Sequence, residues 1–325
     1  MNDQALQLLE QYDIEVLQTR KGRGSILCET NAGLLIFKEY SGREEKLALQ
    51  KKLLDQMATC TDPEVEEILP TREGQLFVKG FDGTQYLLKT WREGRECNIY
   101  DKEECLSASR ILGRLHNRME LPREEDLPPA HSPEEEYEKH NRELRKVKKF
   151  LQKKGQKNSF EIELQNRLDF FLEQAYEVTE EWKQYSHLID RNTIRCFCHG
   201  DYQYHNIIKC GNQWFVANFE KCTRDDPVRD LYLLMRKLLE KTNWSVELGK
   251  NILDAYEQER PLSAYSRIDL LYRLSYPEKF WKIANFYYNT GKAWLPGKNQ
   301  EKLDRIVFQE NAKQQFLQKL LRKIE

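Results

Sequence analysis

The first part of the chain alternates between short apolar runs and glycine-containing turns, which is the pattern of an antiparallel sheet. A short amphipathic helix is predicted at residues 1–12, with Leu6 and Leu9 on its buried side. Three strands are predicted within residues 14–40, where β-branched and apolar runs are separated by glycine turns.

The hydrophobic period then changes to that of a helix and back again. Residues 43–57 carry leucines and a methionine at helical spacing. Two further strands are predicted at residues 75–80 and 84–91, joined by a Phe-Asp-Gly turn. This order of three strands, one helix and two strands predicts a small antiparallel lobe at residues 1–92.

The pattern becomes mostly helical further on, so residues 93–325 are predicted to form a larger helical lobe. One helix is predicted at residues 107–119, and two charged amphipathic helices at 134–154 and 159–184. The buried stripe of the last of these is expected to be Phe160, Leu164, Leu168, Phe171 and Ala175. The lysine-rich run 146–154 fits a solvated helix face or, alternatively, a partner surface. The fold class is therefore α+β with two lobes.

Charge and composition exclude several classes of function. The chain has 52 Lys and Arg against 53 Asp and Glu, a net charge of −1, so no basic field favours nucleic acid. The N-terminal residues lack a cationic start and a continuous apolar run, which argues against a signal peptide or a membrane anchor. We therefore expect a cytoplasmic protein without a membrane partner.

Eight cysteines occur in this chain, and without an export signal they are expected to be reduced. Four of them lie close in sequence to His199: Cys196, Cys198, Cys210 and Cys222. This cluster is a candidate zinc site, but it contains a C-x-C pair and no C-x-x-C knuckle. Buried small hydrophobic side chains are the favoured interpretation, and zinc is the alternative.

The most informative stretch is residues 197–222, FCHGDYQYHNIIKCGNQWFVANFEKC. An apolar run enters a His199-Gly200-Asp201 turn, Asn206 follows five residues after the Asp, and two strands then lead to Asn218. Phosphoryl transfer needs one group that orients the acceptor hydroxyl and others that hold Mg²⁺ against the phosphates. The pattern predicts that Asp201 and Asn206 lie on one tight loop after His199 and that Asn218 lies at a strand end nearby.

This stretch resembles the catalytic loop of the aminoglycoside phosphotransferase and choline kinase group, H-G-D-x-x-x-x-N. Together with "TWREGRE" and "NFEKCTRDDPVRDLYLLMRK", it is more closely similar to the kinase-like CotS-type spore coat protein family of endospore-forming bacteria. The resemblance extends over nearly the whole chain. It implies a protein-kinase-like fold in which residues 1–92 form a nucleotide-binding-like lobe and residues 93–325 carry the catalytic-like loop 197–222.

The resemblance also implies roles for individual residues. Asp201 matches the catalytic base and Asn206 the first metal ligand. Lys38 matches the strand lysine that pairs with nucleotide phosphates, and Glu44 or Glu45 on the next helix would be its partner. ATP and Mg²⁺ are the implied cofactors.

The remaining nucleotide contacts are implied at two places. Ser25, in the Gly-rich turn that follows Gly22, matches the hairpin that covers the phosphates. Leu88 and Lys89 fall within residues 87–92, the implied hinge that offers backbone groups to adenine. Asp230 matches an Asp that braces the catalytic loop, which is a structural role.

Asn218 departs from the family pattern, because active enzymes place a metal-binding Asp there. A neutral amide supplies no negative charge, so the expected loss is on the order of several kcal/mol of transition-state stabilisation. Glu220, two residues later, would lie on the same strand face and is a candidate replacement ligand.

Three functions therefore compete at the level of sequence. The first is a kinase-like pseudoenzyme of the spore coat, with weakened ATP and Mg²⁺ binding and with spore coat proteins as partners. The second is an active ATP-dependent phosphotransferase that modifies the hydroxyl or amine of a small-molecule acceptor. The third is an interaction module whose cysteine cluster binds metal.

Overall fold

The computed structural model describes residues 2–22, 24–59, 61–120, 132–187, 196–290 and 296–324. The helices are α1 Asn2–Leu9, α2 Glu44–Met57, α3 Lys102–His116, α4 Pro133–Lys153, α5 Ser159–Ser186, α6 Val228–Lys241, α7 Val246–Glu257, α8 Ala264–Ser275, α9 Glu278–Asn289 and α10 Pro296–Ile324. The strands are β1 Val16–Gly22, β2 Ser25–Thr30, β3 Gly33–Tyr40, β4 Glu64–Val65, β5 Ile68–Leu69, β6 Val78–Lys79, β7 Gln85–Thr90, β8 Arg95–Glu96, β9 Phe197–Cys198, β10 Ile207–Cys210, β11 Gln213–Val216 and β12 Thr223–Arg224.

The chain divides into two compact units. The first unit comprises Met1–Asp126, Arg195–Thr223 and Ala255–Arg260, and the second comprises Leu127–Ile194, Arg224–Asp254 and Pro261–Glu325. The division into lobes at residue 92 stays a prediction. Within the described ranges no helix combines the length and the apolar character needed to cross a membrane.

An antiparallel sheet in the order β1-β2-β3-β7-β5, with β6 paired to β7, forms the N-terminal part of the first unit. The predicted α+β class is confirmed, and the predicted strands and helix are present as β1–β3, α2, β6 and β7, but two further short strands, β4 and β5, lie between α2 and β6. The short strand β5 was not predicted, because two residues carry no readable period. The prediction for Leu6 was wrong: its side chain is 42% exposed, whereas Leu8 and Leu9 are buried.

A second, smaller sheet in the first unit has the order β4-β11-β10-β8. Strands β10 and β11 form the hairpin predicted after Asn206, and β11 pairs in parallel with β4. This parallel pairing brings the segment after Val65 alongside the end of β11. Residues distant in sequence thereby meet where the catalytic-like loop ends.

The second unit is helical, and its core lies among α4, α5, α8, α9 and α10. The stripe predicted for α5 is confirmed, since all five of its residues are at most 2% exposed. Helices α4 and α5 both begin with a capping box, formed by Ser132 with Glu135 and by Asn158 with Glu161. In each box the two side chains satisfy backbone N–H groups of the first turn that lack helical partners.

Candidate active site

His199 is fully buried and holds two parts of the catalytic-like loop together. Its Nε2 lies 3.0 Å from the carbonyl oxygen of Ala217, and its Nδ1 accepts the backbone N–H of Asp201 at 3.2 Å. A carbonyl can only accept, so the tautomer is the one in which Nε2 carries the proton. His199 therefore positions the loop through backbone contacts.

Gly200 is required by the close approach of two loop segments. Its φ is +78°, and a Cβ atom there would lie 2.2 Å from the carbonyl oxygen of Lys221. Any side chain at residue 200 would force the segment around Lys221 away. The Gly of the His-Gly-Asp turn thus keeps Asp201 and Lys221 adjacent.

Four of the predicted site residues are joined by a chain of hydrogen bonds in the first unit. The Lys38 ammonium donates to Oδ1 of Asn218 at 3.0 Å, and Nδ2 of Asn218 donates to Oδ1 of Asn206 at 2.8 Å. Nδ2 of Asn206 then donates to the carbonyl oxygen of Asp201 at 2.8 Å. The ammonium is a donor and the carbonyl an acceptor, so these two ends fix the orientation of both amides.

The chain leaves the strand at Asn218, which corrects the interpretation of Glu220. Strand β11 ends at Val216, Asn218 has φ 70° and ψ 56°, and Glu220 lies in a 3-10 turn. The left-handed conformation is one that Asn adopts more readily than most residues. Asn218 and Glu220 therefore do not share a strand face, although both reach Lys38.

Glu220 lies between two lysines. Its Oε1 is 2.9 Å from Nζ of Lys38 and 2.7 Å from Nζ of Lys89. Burial of the carboxyl would raise its pKa, but the two ammonium groups outweigh this and hold the pKa of Glu220 at about 2. The carboxylate is therefore ionised and already engaged by two cations.

Glu66, which sequence reasoning missed, anchors this group of charges. Its fully buried carboxylate accepts from Nζ of Lys89 at 2.8 Å and from the backbone N–H groups of Asn218 and Phe219 at 2.8 and 3.0 Å. Burial would lower the pKa of Lys89, but Glu66 and Glu220 outweigh this, and the pKa is raised. In a chain with 53 acidic residues, one Glu in a loop gives no signal of such a partnership.

Asp201, the predicted base, is also paired. Its Oδ2 is 2.9 Å from Nζ of Lys221, and its Oδ1 accepts from the Gln203 amide. Burial would raise the pKa of Asp201, but the Lys221 ammonium and the Gln203 amide outweigh it, so the pKa is lowered. Asp201 is ionised at neutral pH and is a weaker base than an unpaired carboxylate.

The residues predicted around the nucleotide fall into two groups. Ser25 is directly opposite Lys38 in the β2–β3 ladder, and residues directly opposite each other share a face of the sheet. Leu88 and Lys89 lie instead within β7, where they pair with β3 on one side and β5 on the other. Their backbone groups face neighbouring strands rather than a ligand, and the Lys89 side chain enters the ion-pair group.

The remaining predictions concern Glu45, Asp230 and the cysteine cluster. Glu45 is exposed on α2, and the partner of Lys38 among the described residues is Glu220. Asp230 is buried in the first turn of α6, and its bracing role stays a prediction. In the cysteine cluster, Cys196, Cys198 and Cys222 are buried, and both ring nitrogens of His199 contact backbone groups.

A family model described as "Spore coat putative kinase YutH" matches residues 5–320. The chain belongs to this spore coat kinase family.

Individual relatives support the same placement. The chain is similar to spore coat protein S of Bacillus subtilis strain 168, with 29% identity over 126 residues. This match covers 38% of this chain and 36% of that relative, so it spans little more than a third of the relative's length.

Solved structures establish the fold. An aminoglycoside phosphotransferase from Alicyclobacillus acidocaldarius superposes with a TM-score of 0.85 at 17% identity, covering 98% of this chain and 96% of that one. A spectinomycin phosphotransferase in complex with ADP and spectinomycin superposes with a TM-score of 0.64 at 12% identity, covering 93% and 92%. The fold is therefore protein-kinase-like, and at these identities the likeness concerns the fold alone.

The donor set fits Mg²⁺ poorly. Hard divalent cations are held by oxygens, and carboxylates supply the neutralising charge. Here Nδ2 of Asn218 points an N–H at the Asn206 oxygen, which is the atom that a metal would need. The three carboxylates of Glu66, Asp201 and Glu220 are matched by the ammonium groups of Lys38, Lys89 and Lys221. The group of charges is balanced without a metal.

Proposed function

We propose that this protein is a kinase-like component of the spore coat whose active site is held in a metal-free, charge-balanced state. It would bind ATP weakly and without help from Mg²⁺, and it would transfer phosphoryl groups slowly or not at all. The fold would then act chiefly as a scaffold that contacts other coat proteins.

The observation that carries this proposal is the 2.8 Å hydrogen bond from Asn218 to Asn206. In the family pattern these two positions offer oxygens to one cation. In this chain Asn218 donates an N–H to the Asn206 oxygen, so the two side chains are hydrogen-bonded to each other rather than free to bind a cation. A metal would have to break this bond, and it would gain no carboxylate from either residue.

Glu220 adds a second obstacle to nucleotide binding. Lys38 is the residue expected to meet the phosphates, yet its ammonium already contacts the Glu220 carboxylate at 2.9 Å. A phosphate would have to displace this carboxylate, which Lys89 also holds at 2.7 Å. Glu220 is therefore better described as an internal competitor for Lys38 than as a metal ligand.

The adenine contact is proposed to lie after β7. Strand β7 ends at Thr90. The backbone N–H of Trp91 still donates to the carbonyl oxygen of Leu34 in β3 at 2.9 Å, so the first backbone groups outside the sheet are the Trp91 carbonyl and those of residues 92–94. Of the hinge predicted at residues 87–92, Trp91 and Arg92 therefore remain as candidates, and Ser25 remains beside Lys38 for the phosphate-covering hairpin.

An active phosphotransferase is the second candidate function, and one observation favours it. Asp201 is present as an ionised carboxylate in a loop that His199 and Gly200 hold in place. Such a group can orient the hydroxyl or amine of a small-molecule acceptor. This function requires that nucleotide binding release Lys38 from Glu220.

Calorimetric titration with ATP, in the presence and absence of Mg²⁺, separates the two candidates. We expect weak binding that Mg²⁺ does not strengthen, and no release of ADP. Binding that Mg²⁺ strengthens tenfold or more, together with ADP release when small alcohols and amines are added, would replace the first proposal with the second. Deposition in the coat is tested by locating a tagged chain in purified spores.

A further inference from the structure

A small cavity in the second unit is lined by two buried cationic side chains whose hydrogen-bonding capacity is only partly used by the described residues. It has a volume of about 40 Å³ and lies beside α6, α10 and the beginning of α9. By the same measure a single water needs roughly 10 to 15 Å³, so the cavity holds about three waters. That is close to the size of one small tetrahedral oxyanion.

Lys313 on α10 is the first of these groups. Its side chain lines the cavity and the residue is 7% exposed. The ammonium has one hydrogen-bond acceptor, the carbonyl oxygen of Ser275 at 2.8 Å, and lies 5.8 Å from the centre of the Trp244 ring. Among the described residues no carboxylate lies within ion-pair distance of it. A buried ammonium that is neither paired nor fully hydrogen-bonded is costly.

Arg236 on α6 is the second. It also lines the cavity and is 7% exposed. One guanidinium nitrogen, Nη1, donates to Glu240 at 3.2 Å, but Nε is buried and has no acceptor among the described residues. An N–H that is buried without an acceptor is costly, so it marks a place where a partner is expected.

The beginning of α9 also borders this cavity. The backbone N–H of Glu278 already donates to the carbonyl oxygen of Tyr276 at 2.9 Å, which leaves those of Lys279 and Phe280 as candidate donors. The helix is 12 residues long, its N-cap residue is Pro277, and no side chain caps it. Pro277, Glu278, Lys279 and Phe280 all line the cavity. The first backbone N–H groups of a helix point outward, and together with the helix dipole they attract anions.

The carboxylates that line the cavity are already used. Glu240 pairs with Arg236 and with Lys279, the latter at 3.0 Å. Glu278 pairs with Lys282 at 2.8 Å, and Glu310 accepts from the amides of Gln174 and Gln314. Glu310 and Glu240 attract the Lys313 ammonium electrostatically, but among the described residues neither carboxylate lies within ion-pair distance of it, and none accepts from the Nε–H of Arg236.

We propose that this cavity is a binding site for a small tetrahedral oxyanion, with inorganic phosphate as its reference ligand. The anion would accept from Lys313, from Nε of Arg236 and from the first turn of α9. Three such sources of donors surround a tetrahedral oxyanion well, because it offers acceptor oxygens in every direction. The site is separate from Asp201 and Lys38 and does not depend on the proposed function.

The test measures thermal unfolding of the full chain in chloride buffer of constant ionic strength, with and without inorganic phosphate. Ligand binding to the folded state raises Tm in proportion to ln(1 + [phosphate]/Kd). Lys313→Met should reduce the phosphate affinity about tenfold or more. Lys319→Met, at an exposed position on the same helix, should leave it unchanged. Sulfate should compete with phosphate.

A second arm separates this site from the kinase-like one, where phosphate could meet Lys38. Lys38→Met should keep the phosphate-dependent rise in Tm, and equilibrium dialysis should give one phosphate per chain that Lys313→Met removes. Equal phosphate responses of the wild type and Lys313→Met would overturn the proposal. So would a crystal structure grown in phosphate that shows only water in the cavity.

Discussion

Two groups of buried charges in this molecule are built in opposite ways. In the first unit, Lys89 is 0% exposed and contacts two carboxylates, Glu66 and Glu220, within 2.8 Å. In the second unit, Lys313 is 7% exposed, and its ammonium has one carbonyl oxygen as hydrogen-bond acceptor, the Trp244 ring at 5.8 Å and, among the described residues, no carboxylate within ion-pair distance. In the first group the buried lysine is paired with carboxylates, whereas the second group contains N–H donors without an acceptor among the described residues.

This difference shows that a catalytic motif in the sequence does not by itself indicate side chains that are free to bind a ligand. The His-Gly-Asp motif predicts a phosphoryl-transfer site in the first unit. The lysines and carboxylates around it pair with one another, so under the proposed function a ligand would gain little binding energy from them. No motif marks the cavity beside α9. This cavity is recognised instead by its unsatisfied donors, and these can be identified only from the folded structure, where helices distant in sequence pack together.

The largest expected effect is a loss of unfolding free energy when the buried ion-pair group of Lys89, Glu66 and Glu220 is disrupted. Lys89→Met removes the cation that Glu66 and Glu220 share, leaving Glu66 buried with backbone donors alone. Breaking a buried ion pair on one side typically costs about 3 to 5 kcal/mol. Guanidinium-induced unfolding, followed by tryptophan fluorescence, should show a loss of this size.

A matched control for Lys89→Met is Lys51→Met, which removes an i,i+4 pair with the half-exposed Asp55 on α2. Such a helix-surface pair is worth about 0.3 to 0.5 kcal/mol. If both variants lost the same small amount, the group around Lys89 would not be the structural anchor described here.

The next prediction concerns Mg²⁺-dependent ATP binding when the hydrogen bond between Asn218 and Asn206 is removed. Asn218→Asp replaces the N–H that faces Asn206 with an oxygen, so two oxygens would face each other and a cation could bridge them. We expect Mg²⁺ to strengthen ATP binding by about tenfold or more in this variant, because a charge-assisted contact is gained.

Calorimetry with ATP, at fixed ionic strength and with Mg²⁺ varied, measures this effect. Asn212→Asp is the matched control, since it adds the same charge at the exposed turn of the same β10–β11 hairpin. A variant Asn218→Asp that is as insensitive to Mg²⁺ as the wild type would show that Glu220 and the lysines, rather than Asn218, close the site.

Much of this site was predictable from sequence, and the remainder was not, for physical reasons. The turn and the hairpin follow from local periods and motif spacing, which nearby residues determine, whereas Lys38 was implied only by the family resemblance. The Glu66–Lys89 pair depends on the parallel pairing of β4 with β11, and no local pattern records it. The left-handed Asn218 was likewise read as strand, because one residue of positive φ does not change the run of apolar residues around it.

Replacing a buried lysine in the second unit is expected to raise the free energy of unfolding, whereas Lys89→Met lowers it. Lys313→Met removes a buried ammonium without an ion partner, so in phosphate-free buffer we expect the variant to be more stable than the wild type by about 1 kcal/mol. Phosphate should reduce this advantage, because only the wild type gains from binding it. A loss of more than 1 kcal/mol would mean that the Ser275 contact outweighs the cost of burial.

The smallest effect concerns the pair at the surface of the kinase-like site. The Lys221 side chain is 67% exposed and contacts Asp201 at 2.9 Å, so Lys221→Met should change the free energy of unfolding by less than about 1 kcal/mol. It should nevertheless raise the pKa of Asp201, because burial of the carboxyl then acts with only the Gln203 amide and His199 against it. Carbon-detected NMR titration of the Asp carboxyl groups measures this shift, with Lys209→Met, which faces Glu104, as the control. An Asp201 that titrates identically in wild type and Lys221→Met would show that Lys221 does not restrain the predicted base, and the lowered basicity of Asp201 would then need another cause.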